Sequence, residues 1–422
     1  MPRETSSSSH LAATSRPHPL FAHRPAKNAP LVAAAVLLIT LTLRVPTASV
    51  GPVVPAIGTE TGYPPPVLAL LTSVPLLCFL VAAPFVPALQ ARLGLRSLLL
   101  WALLIASAGT LVRSIPGPAP LAVGTVLLGL AVAIASVLAP AVIKRAGTAG
   151  RGWVTSLYTA SLSLGPALAT GLTVPIGQIL GGGWRTALAF WAILPFLAAV
   201  CWVFLTPSAR TDIHDRSQIT GPSPAPGSVG LRHVLREPSA WAVTVYLALT
   251  SLLFYSLSAW LPAILENAGR SAAAAGGTAA LTNLVAIPAS FLAPWLVRRV
   301  RATWIPPFVA PLPFALGAAL LALAPEYAVI AVAMMGIGQG ASVGIAYSLV
   351  LSTTSSAGHA TALSAMSQTV GVTLAALGPT GLAAVRVAAG AWAPALGLLA
   401  AIAAAQAVIG LLSSRGRSAL PS

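Results

Sequence analysis

A single arginine, Arg44, lies in the middle of a long apolar segment, residues 31–57. Helical spacing would place Thr40, Thr47 and Gly51 on the same face as Arg44. A guanidinium in apolar surroundings is costly unless it meets an anion or an array of hydrogen-bond acceptors. This face therefore predicts a binding site for a small anion beside Arg44. The sequence leaves one alternative open, in which Arg44 donates to backbone carbonyls of a neighbouring broken helix.

Further candidates are polar side chains that stand alone in other apolar segments. They are Ser251, Tyr255, Asn283, Gln339 and Gln368. A serine in such a segment more often donates to a carbonyl of its own helix than to a ligand. An amide or a phenol is costly to leave unpaired, so these side chains are the better candidates for lining a cavity. Among the tryptophans, Trp260 is the one that we expect at the outer gate of such a cavity.

The composition shows what kind of solvent surrounds these residues. The chain has 422 residues, of which 57% are hydrophobic and only 7% are charged. A soluble domain carries about 25% charged residues, so lipid is the expected solvent over most of this chain. No basic stripe carries interleaved aromatic residues, and we expect no nucleic-acid partner despite the net charge of +16. Cys78 and Cys201 lie in apolar runs and predict neither a disulfide nor a metal site.

Apolar segments of about 20 residues, each able to cross roughly 30 Å of hydrocarbon, recur along the chain. The predicted spans are 31–57, 67–90, 97–114, 119–142, 153–180, 184–206, 239–264, 273–296, 304–324, 327–352, 361–386 and 391–413. The sequence thus predicts an all-α membrane protein with twelve transmembrane helices in two six-helix bundles, 31–206 and 238–413. A polar linker, 207–237, joins the bundles. Residues 1–30 are predicted to form a disordered tail, and 414–422 a second tail.

The basic residues predict the orientation of these helices. Of the 23 lysines and arginines, Arg44 lies within a span and 18 fall in segments on the side of the termini. The remaining four, which would lie outside, are Arg113, Arg185, Arg270 and Arg386. The positive-inside rule then places both termini in the cytoplasm.

The two predicted halves resemble each other in sequence. Residues 155–165 match 361–371 at an offset of 206, and Pro55-Ala56-Ile57 matches Pro262-Ala263-Ile264 at an offset of 207. Two pseudo-symmetric six-helix repeats, with the substrate bound between them near the midplane, resemble the plan of the major facilitator superfamily.

Several segments also resemble the cyanate/nitroimidazole (CynX/NimT) transporter family. They are Leu43-Arg44-Val45-Pro46-Thr47-Ala48-Ser49-Val50-Gly51-Pro52, the run LAPAVIKR at 138–145, the run SLLFYSLSAWLP at 251–262, GIGQG at 336–340 and ALSAMSQ at 362–368. The resemblance implies transport of small solutes, often anionic or nitrogen-containing, with Arg44 at the position of the family's span-one arginine. The chain departs from the family pattern at Ala48, Ser136 and Thr250, which stand where threonine, asparagine and glutamine are expected.

The sequence therefore predicts a secondary active or facilitative transporter that works by alternating access in the cytoplasmic membrane. We expect a monomer that contacts membrane lipid and a small-molecule substrate, with no cofactor, no metal and no ATPase subunit, since no phosphate-binding GxxxxGK[ST] loop occurs. Two alternatives remain: an exporter of drugs or neutral metabolites on the same fold, and a membrane receptor or scaffold without transport. An enzyme is not expected, because no nucleophile, acid and base can be brought together.

Coupling to protons is not expected either. A proton-coupled carrier usually needs a carboxylate or histidine at membrane depth. The acidic residues fall in predicted tails, loops or span ends, and Glu60, at the outer end of the first span, is the one candidate that would change this expectation.

Overall fold

The structure is a computed structural model that describes residues 29–147, 152–205, 234–300, 302–353 and 357–415, nearly all of them helical. Most of the predicted N-terminal tail, of the predicted linker 207–237 and of the predicted C-terminal tail lies outside these ranges. The first helix begins at Ala29 and the last ends at Arg415, close to the predicted limits of the two bundles.

In the N-terminal half, the helices follow the predicted spans closely. They are α1 (Ala29–Ala48), α2 (Val54–Thr61), α3 (Pro65–Ala82), α4 (Val86–Val112), α5 (Pro118–Gly147), α6 (Gly152–Ile179), α7 (Gly183–Phe190) and α8 (Ile193–Leu205), with short 3-10 helices at Gly51–Val53 and Ala83–Phe85. The pairs α1–α2 and α7–α8 each occupy one predicted span. The first and sixth predicted spans are therefore interrupted rather than continuous.

The helices of the C-terminal half also follow the predicted spans. Its helices are α9 (Pro238–Asn267), α10 (Ala272–Arg299), α11 (Ile305–Val309), α12 (Leu312–Leu323), α13 (Ala328–Thr353), α14 (Ala357–Ala389) and α15 (Trp392–Arg415), with a 3-10 helix at Pro325–Tyr327. The ninth predicted span is divided into α11 and α12. Pro311 lies at this division and lacks the N–H group that a continuous helix would use.

Within the described ranges, 11 helical segments are long and apolar enough to cross a membrane. One of them, Pro65–Val112, has 48 residues, more than twice the length that a single crossing requires at about 20 residues. Gly94 breaks this segment with φ 79° and ψ 157°, a conformation that residues with a Cβ rarely adopt. The segment is therefore two spans, and the total is the predicted twelve. The polar loop predicted between these two spans is longer than the observed break, because helix continues on both sides of Gly94.

The first span is interrupted where the prolines are dense. Pro46, Pro52 and Pro55 lie within ten residues of one another, and each removes a backbone donor from the helix. The result is a turn after Ala48 and then the 3-10 helix, in which the Val53 N–H donates to the Val50 carbonyl at 3.0 Å. This interruption lies directly after the helical turn that carries Arg44.

The two halves pack together at one end of the molecule. We call this the distal end; it carries the turns at residues 62–64 and 113–117, whereas the proximal end carries the first and last described residues. Distally, Val54 and Ile57 of the N-terminal half share one buried apolar cluster with Leu261 of the C-terminal half.

At the proximal end, each half has its own core. Leu95 and Trp202 belong to a buried cluster formed by the N-terminal half alone, and Tyr246 and Leu349 belong to one formed by the C-terminal half alone. The halves are thus joined distally and separately packed proximally.

Candidate functional site

Two adjoining cavities lie between the halves, with volumes of about 410 Å³ and about 400 Å³. Arg44, Tyr255 and Gln368 line both of them. Arg44 is the only charged side chain lining either cavity within the described part of the chain. The cavities therefore combine one positive charge with neutral polar and apolar walls.

Arg44 connects the two halves through this space. It is half-buried, four residues before the end of α1, and its Nη1 donates a hydrogen bond of 2.8 Å to the Tyr255 hydroxyl on α9. The Thr47 hydroxyl donates to the Arg44 carbonyl at 2.9 Å, and Thr47 itself lines the second cavity. Gly165 of α6 lies against Arg44, because a Cβ built at Gly165 would be 3.0 Å from the Arg44 Cβ. Two elements of the N-terminal half thus support the guanidinium that faces the C-terminal half.

The C-terminal half contributes neutral polar groups to the first cavity. Gln339 is 5% exposed, and its Nε2 donates to the Thr250 carbonyl at 3.2 Å. Asn283 lines the same cavity. The Gln368 amide is exposed and donates to the Ser364 hydroxyl at 3.2 Å. Its position in both cavities leaves it beside Arg44 and Tyr255.

Ser251 and Thr40 illustrate the alternative in which a hydroxyl bonds to its own helix. Ser251 lines the first cavity, but its hydroxyl donates to the Leu247 carbonyl at 3.1 Å. Thr40 is buried, and its hydroxyl donates to the Val36 carbonyl at 2.7 Å. The predicted polar face of the first span is therefore narrower than the helical spacing indicates, since Thr40 lines neither cavity among the described residues.

Trp260 lies in the distal core and not in the wall of either cavity. It is 3% exposed within the distal core, its indole N–H donates to the Pro379 carbonyl at 2.9 Å, and its ring centroid lies 5.3 Å from that of Trp392. Within the described part of the chain, Trp260 is not among the residues that line either cavity. Trp260 lies in the distal cluster that both halves share, so its expected role at the outer gate stays a prediction.

Glu60 is likewise remote from both cavities. Its carboxylate accepts hydrogen bonds from the Trp184 indole at 2.6 Å and from the Arg185 guanidinium, with which it forms an ion pair. Both partners belong to the start of α7, in the same half. Glu60 thus ties the outer end of the first span to α7.

One polar group beside the cavity was missed by sequence reasoning. Gln406 of α15 is 1% exposed, and its Nε2 donates to the Thr250 hydroxyl at 2.6 Å and to the Tyr246 carbonyl at 3.4 Å. Thr250 in turn accepts from Gln339 through its carbonyl. The signal was present, because Gln406 is a lone amide in an apolar span and an unpaired amide is costly there.

With this geometry in place, comparison with known proteins gives the family. The model of the Major Facilitator Superfamily matches residues 36–379. The chain is 36% identical over 349 residues to the uncharacterized transporter YycB of Bacillus subtilis (strain 168), a match that covers 82% of the chain and 83% of that protein. It is 32% identical over 392 residues to the 2-nitroimidazole transporter of Escherichia coli (strain K12), covering 93% of the chain and 97% of that protein.

A third relative and a solved structure extend this picture. The cyanate transport protein CynX of Escherichia coli (strain K12) is 29% identical over 264 residues, which are 62% of the chain and 66% of that protein. A bacterial homologue of the human lysosomal transporter Spinster superposes with a TM-score of 0.77 at 16% identity, covering 94% of the chain and 98% of that structure. At this identity the superposition shows the fold.

The chain belongs to the major facilitator superfamily. It is a multi-pass membrane transporter and not an enzyme, and the predicted resemblance to cyanate and nitroimidazole transporters is confirmed. Seven of the eight candidate site residues line the cavities between its halves, with Trp260 as the exception. Their roles toward a substrate stay predictions.

Proposed function

We propose that this protein carries one small solute with an anionic or strongly hydrogen-bond-accepting group across the membrane by alternating access. The observation that carries this proposal is the Arg44 guanidinium, which lies between the halves and donates to Tyr255 at 2.8 Å. An acceptor group of a solute would take the place of the phenol oxygen beside the guanidinium. Because the two residues belong to different halves, such a solute would contact both.

The cavity walls bear on the class of solute. Among the described residues, no carboxylate lines either cavity, and Arg44 supplies the charge of the lining. Phe254 and Tyr347 border both cavities, and Phe79 and Phe291 one each. Volumes near 400 Å³ fall within the usual range for ligand pockets of about 300–1,000 Å³. They admit a triatomic anion such as cyanate and also a flat nitrogen-containing ring such as 2-nitroimidazole.

The distribution of charge and the cavity lining also support a location, an oligomeric state and a transport mode. The basic residues concentrate on the side of the termini, which supports a cytoplasmic membrane protein with both termini in the cytoplasm. We expect a monomer, because the cavities lie between the two halves of a single chain. Uniport or exchange is the simplest mode, because neither cavity is lined by a carboxylate within the described ranges.

Export of neutral compounds is the second candidate function. Apolar and aromatic groups make up much of the first cavity's lining, among them Phe254, Phe291 and Val343. A carrier of this kind would tolerate replacement of Arg44. A receptor or scaffold without transport would show no counterflow of any solute.

Uptake of labelled cyanate and labelled 2-nitroimidazole into proteoliposomes tests the proposal. We expect saturable uptake of at least one of them, lost in Arg44→Ala and kept in the matched control Arg185→Ala, whose side chain lies at the distal end outside both cavities. Saturable uptake that survives Arg44→Ala would contradict the role of Arg44 and favour the exporter of neutral compounds.

A further inference from the structure

A second arginine, Arg113, is buried in the N-terminal half although the sequence places it in an outside loop. It follows the last residue of α4, and only 1% of its surface is exposed. Among the described residues, Arg113 lines neither cavity. Glu60 forms its described ion pair with Arg185 and not with Arg113. A buried guanidinium is costly, so its retention needs a physical reason.

The contacts of Arg113 lead to the interruption of the first span. Its Nη2 donates to the Ser49 hydroxyl at 3.3 Å, and that hydroxyl donates to the Pro46 carbonyl at 3.0 Å. Ser49 directly follows the last residue of α1. The C-terminal end of a helix carries a partial negative charge from its unpaired carbonyls, which stabilises a nearby cation. The buried charge is thus placed where the interrupted helix favours it.

The neighbouring backbone leaves room for this arrangement. A Cβ at Gly124 of α5 would lie 2.6 Å from the Arg113 Cβ and would collide with the Arg113 backbone nitrogen. A Cβ at Gly109 would lie 2.7 Å from the backbone nitrogen of Leu128 on α5. Helices α4 and α5 therefore approach closely around Arg113 because glycines occupy these two positions.

We propose that Arg113 is a positioning residue for Arg44. Through Ser49 it holds the interruption after α1 in place. Arg44 lies four residues before the end of α1, and its carbonyl accepts from Thr47. Arg113 does not touch the solute. The inference rests on the proposed function for its importance in transport, but the geometry that it predicts can be measured without any solute.

The test detects the position of the Arg44 charge through its effect on the reactivity of a nearby cysteine. A single cysteine at Ser136→Cys, on α5 and lining the second cavity with Arg44, is placed in a Cys78→Ala, Cys201→Ala background. Its rates of reaction with an anionic and a cationic methanethiosulfonate reagent of similar size are measured in purified protein. Their ratio reports the local positive potential, and Arg44→Gln sets the value without the guanidinium.

Ser49→Ala is the decisive variant, because it removes the contact without changing any charge. We expect it to lower the anion-to-cation rate ratio by about threefold, a size typical of coupled neighbouring residues. The matched control Ser107→Ala, another buried serine of this half that donates to the Ala192 carbonyl at 3.0 Å, should leave the ratio unchanged. An unchanged ratio in Ser49→Ala would overturn the proposal.

Arg113→Gln and Arg113→Lys supply the second measurement. In Arg113→Gln, the further change Ser49→Ala should have no additional effect on the ratio, because the two residues act through one contact. Arg113→Lys, which keeps the charge and a donor, should retain most of the ratio. Additive effects of Ser49→Ala and Arg113→Gln would contradict a shared contact. Unchanged transport with the expected ratios would instead count against the proposed function alone.

Discussion

Equivalent positions of the repeat carry different chemistry in the two halves. At the offset of 207 that aligns Pro55 with Pro262, Arg44 corresponds to Ser251. Arg44 donates across the cavity to the opposite half, whereas the Ser251 hydroxyl donates to a carbonyl of its own helix. The fold is pseudo-symmetric and the cavity is not, so the charge that would select a solute comes from one half and the neutral groups around it from the other.

The backbones of these two spans differ in the same sense. The first span is divided into α1 and α2, whereas α9 is continuous from Pro238 to Asn267 through Pro262. One interior proline removes one hydrogen bond, which packing of a long helix can tolerate, but three within ten residues remove too many. The interrupted span is thus the one that carries the charge, and the continuous span provides its partner, Tyr255.

The largest effect is expected when the charge itself is removed. Arg44→Ala should lower the ratio of maximal rate to KM for anion uptake about a hundredfold, because a charge-assisted hydrogen bond contributes about 2–3 kcal/mol. Ser251→Ala, at the equivalent position, should change it by less than about twofold, since its hydroxyl already bonds to its own helix. Initial rates in proteoliposomes over a range of solute concentrations measure both. Equal losses in the two variants would mean that the halves contribute alike.

A second effect follows from the distal contact between the same two spans. Gly51 faces the backbone of α9 so closely that a Cβ would collide with the Ser258 carbonyl oxygen. Gly51→Ala should push the halves apart distally and lower transport about tenfold, in line with an overpacking cost of about 1–3 kcal/mol. Gly277→Ala is the control, because a Cβ there meets nothing within 4 Å.

Labelling from the distal side reports this change directly. Ile57→Cys replaces a residue with 0% exposure in the shared distal core. In the Gly51→Ala background, a membrane-impermeant maleimide added from that side should label Ile57→Cys faster. Unchanged labelling with normal transport would show that the contact at Gly51 does not hold the distal end closed.

The third prediction concerns the hydrogen bond between Arg44 and Tyr255. The phenol accepts from Arg44, a bond that a bound solute would replace, so Tyr255→Phe should hinder the return of the carrier without solute more than that of the loaded one. Net uptake should fall about fivefold, corresponding to a hydrogen bond of about 1 kcal/mol, while exchange of internal for external solute stays nearly unchanged. Tyr347→Phe, which alters another tyrosine lining both cavities, serves as the control. A parallel loss of exchange and net uptake would make Tyr255 a solute contact alone.

The sequence predicts the spans well and the contacts between them poorly. Apolar length fixes where a helix crosses, so the limits of α5, α6 and α9 lie within a few residues of expectation. Helical spacing identifies the face that carries Arg44. It does not identify Tyr255, the hydrogen-bond partner of Arg44, which lies 211 residues away in the sequence. Trp260 and Arg113 show the same limit, because their burial depends on neighbours that only the packed structure brings together.

The smallest effect is expected from replacing Gln406, a buried amide behind the cavity lining of the C-terminal half. Gln406 donates to the Thr250 hydroxyl at 2.6 Å, and the Thr250 carbonyl accepts from Gln339, which lines the cavity. Gln406→Leu should therefore raise the KM for solute by about threefold with little change in maximal rate, as expected for one neutral hydrogen bond of about 0.5–1.5 kcal/mol. Gln178→Leu, an exposed amide of the other half, is the control. A fall in maximal rate at constant KM would place Gln406 in the movement of the halves, and the neutral wall would then do more than hold the solute that Arg44 selects.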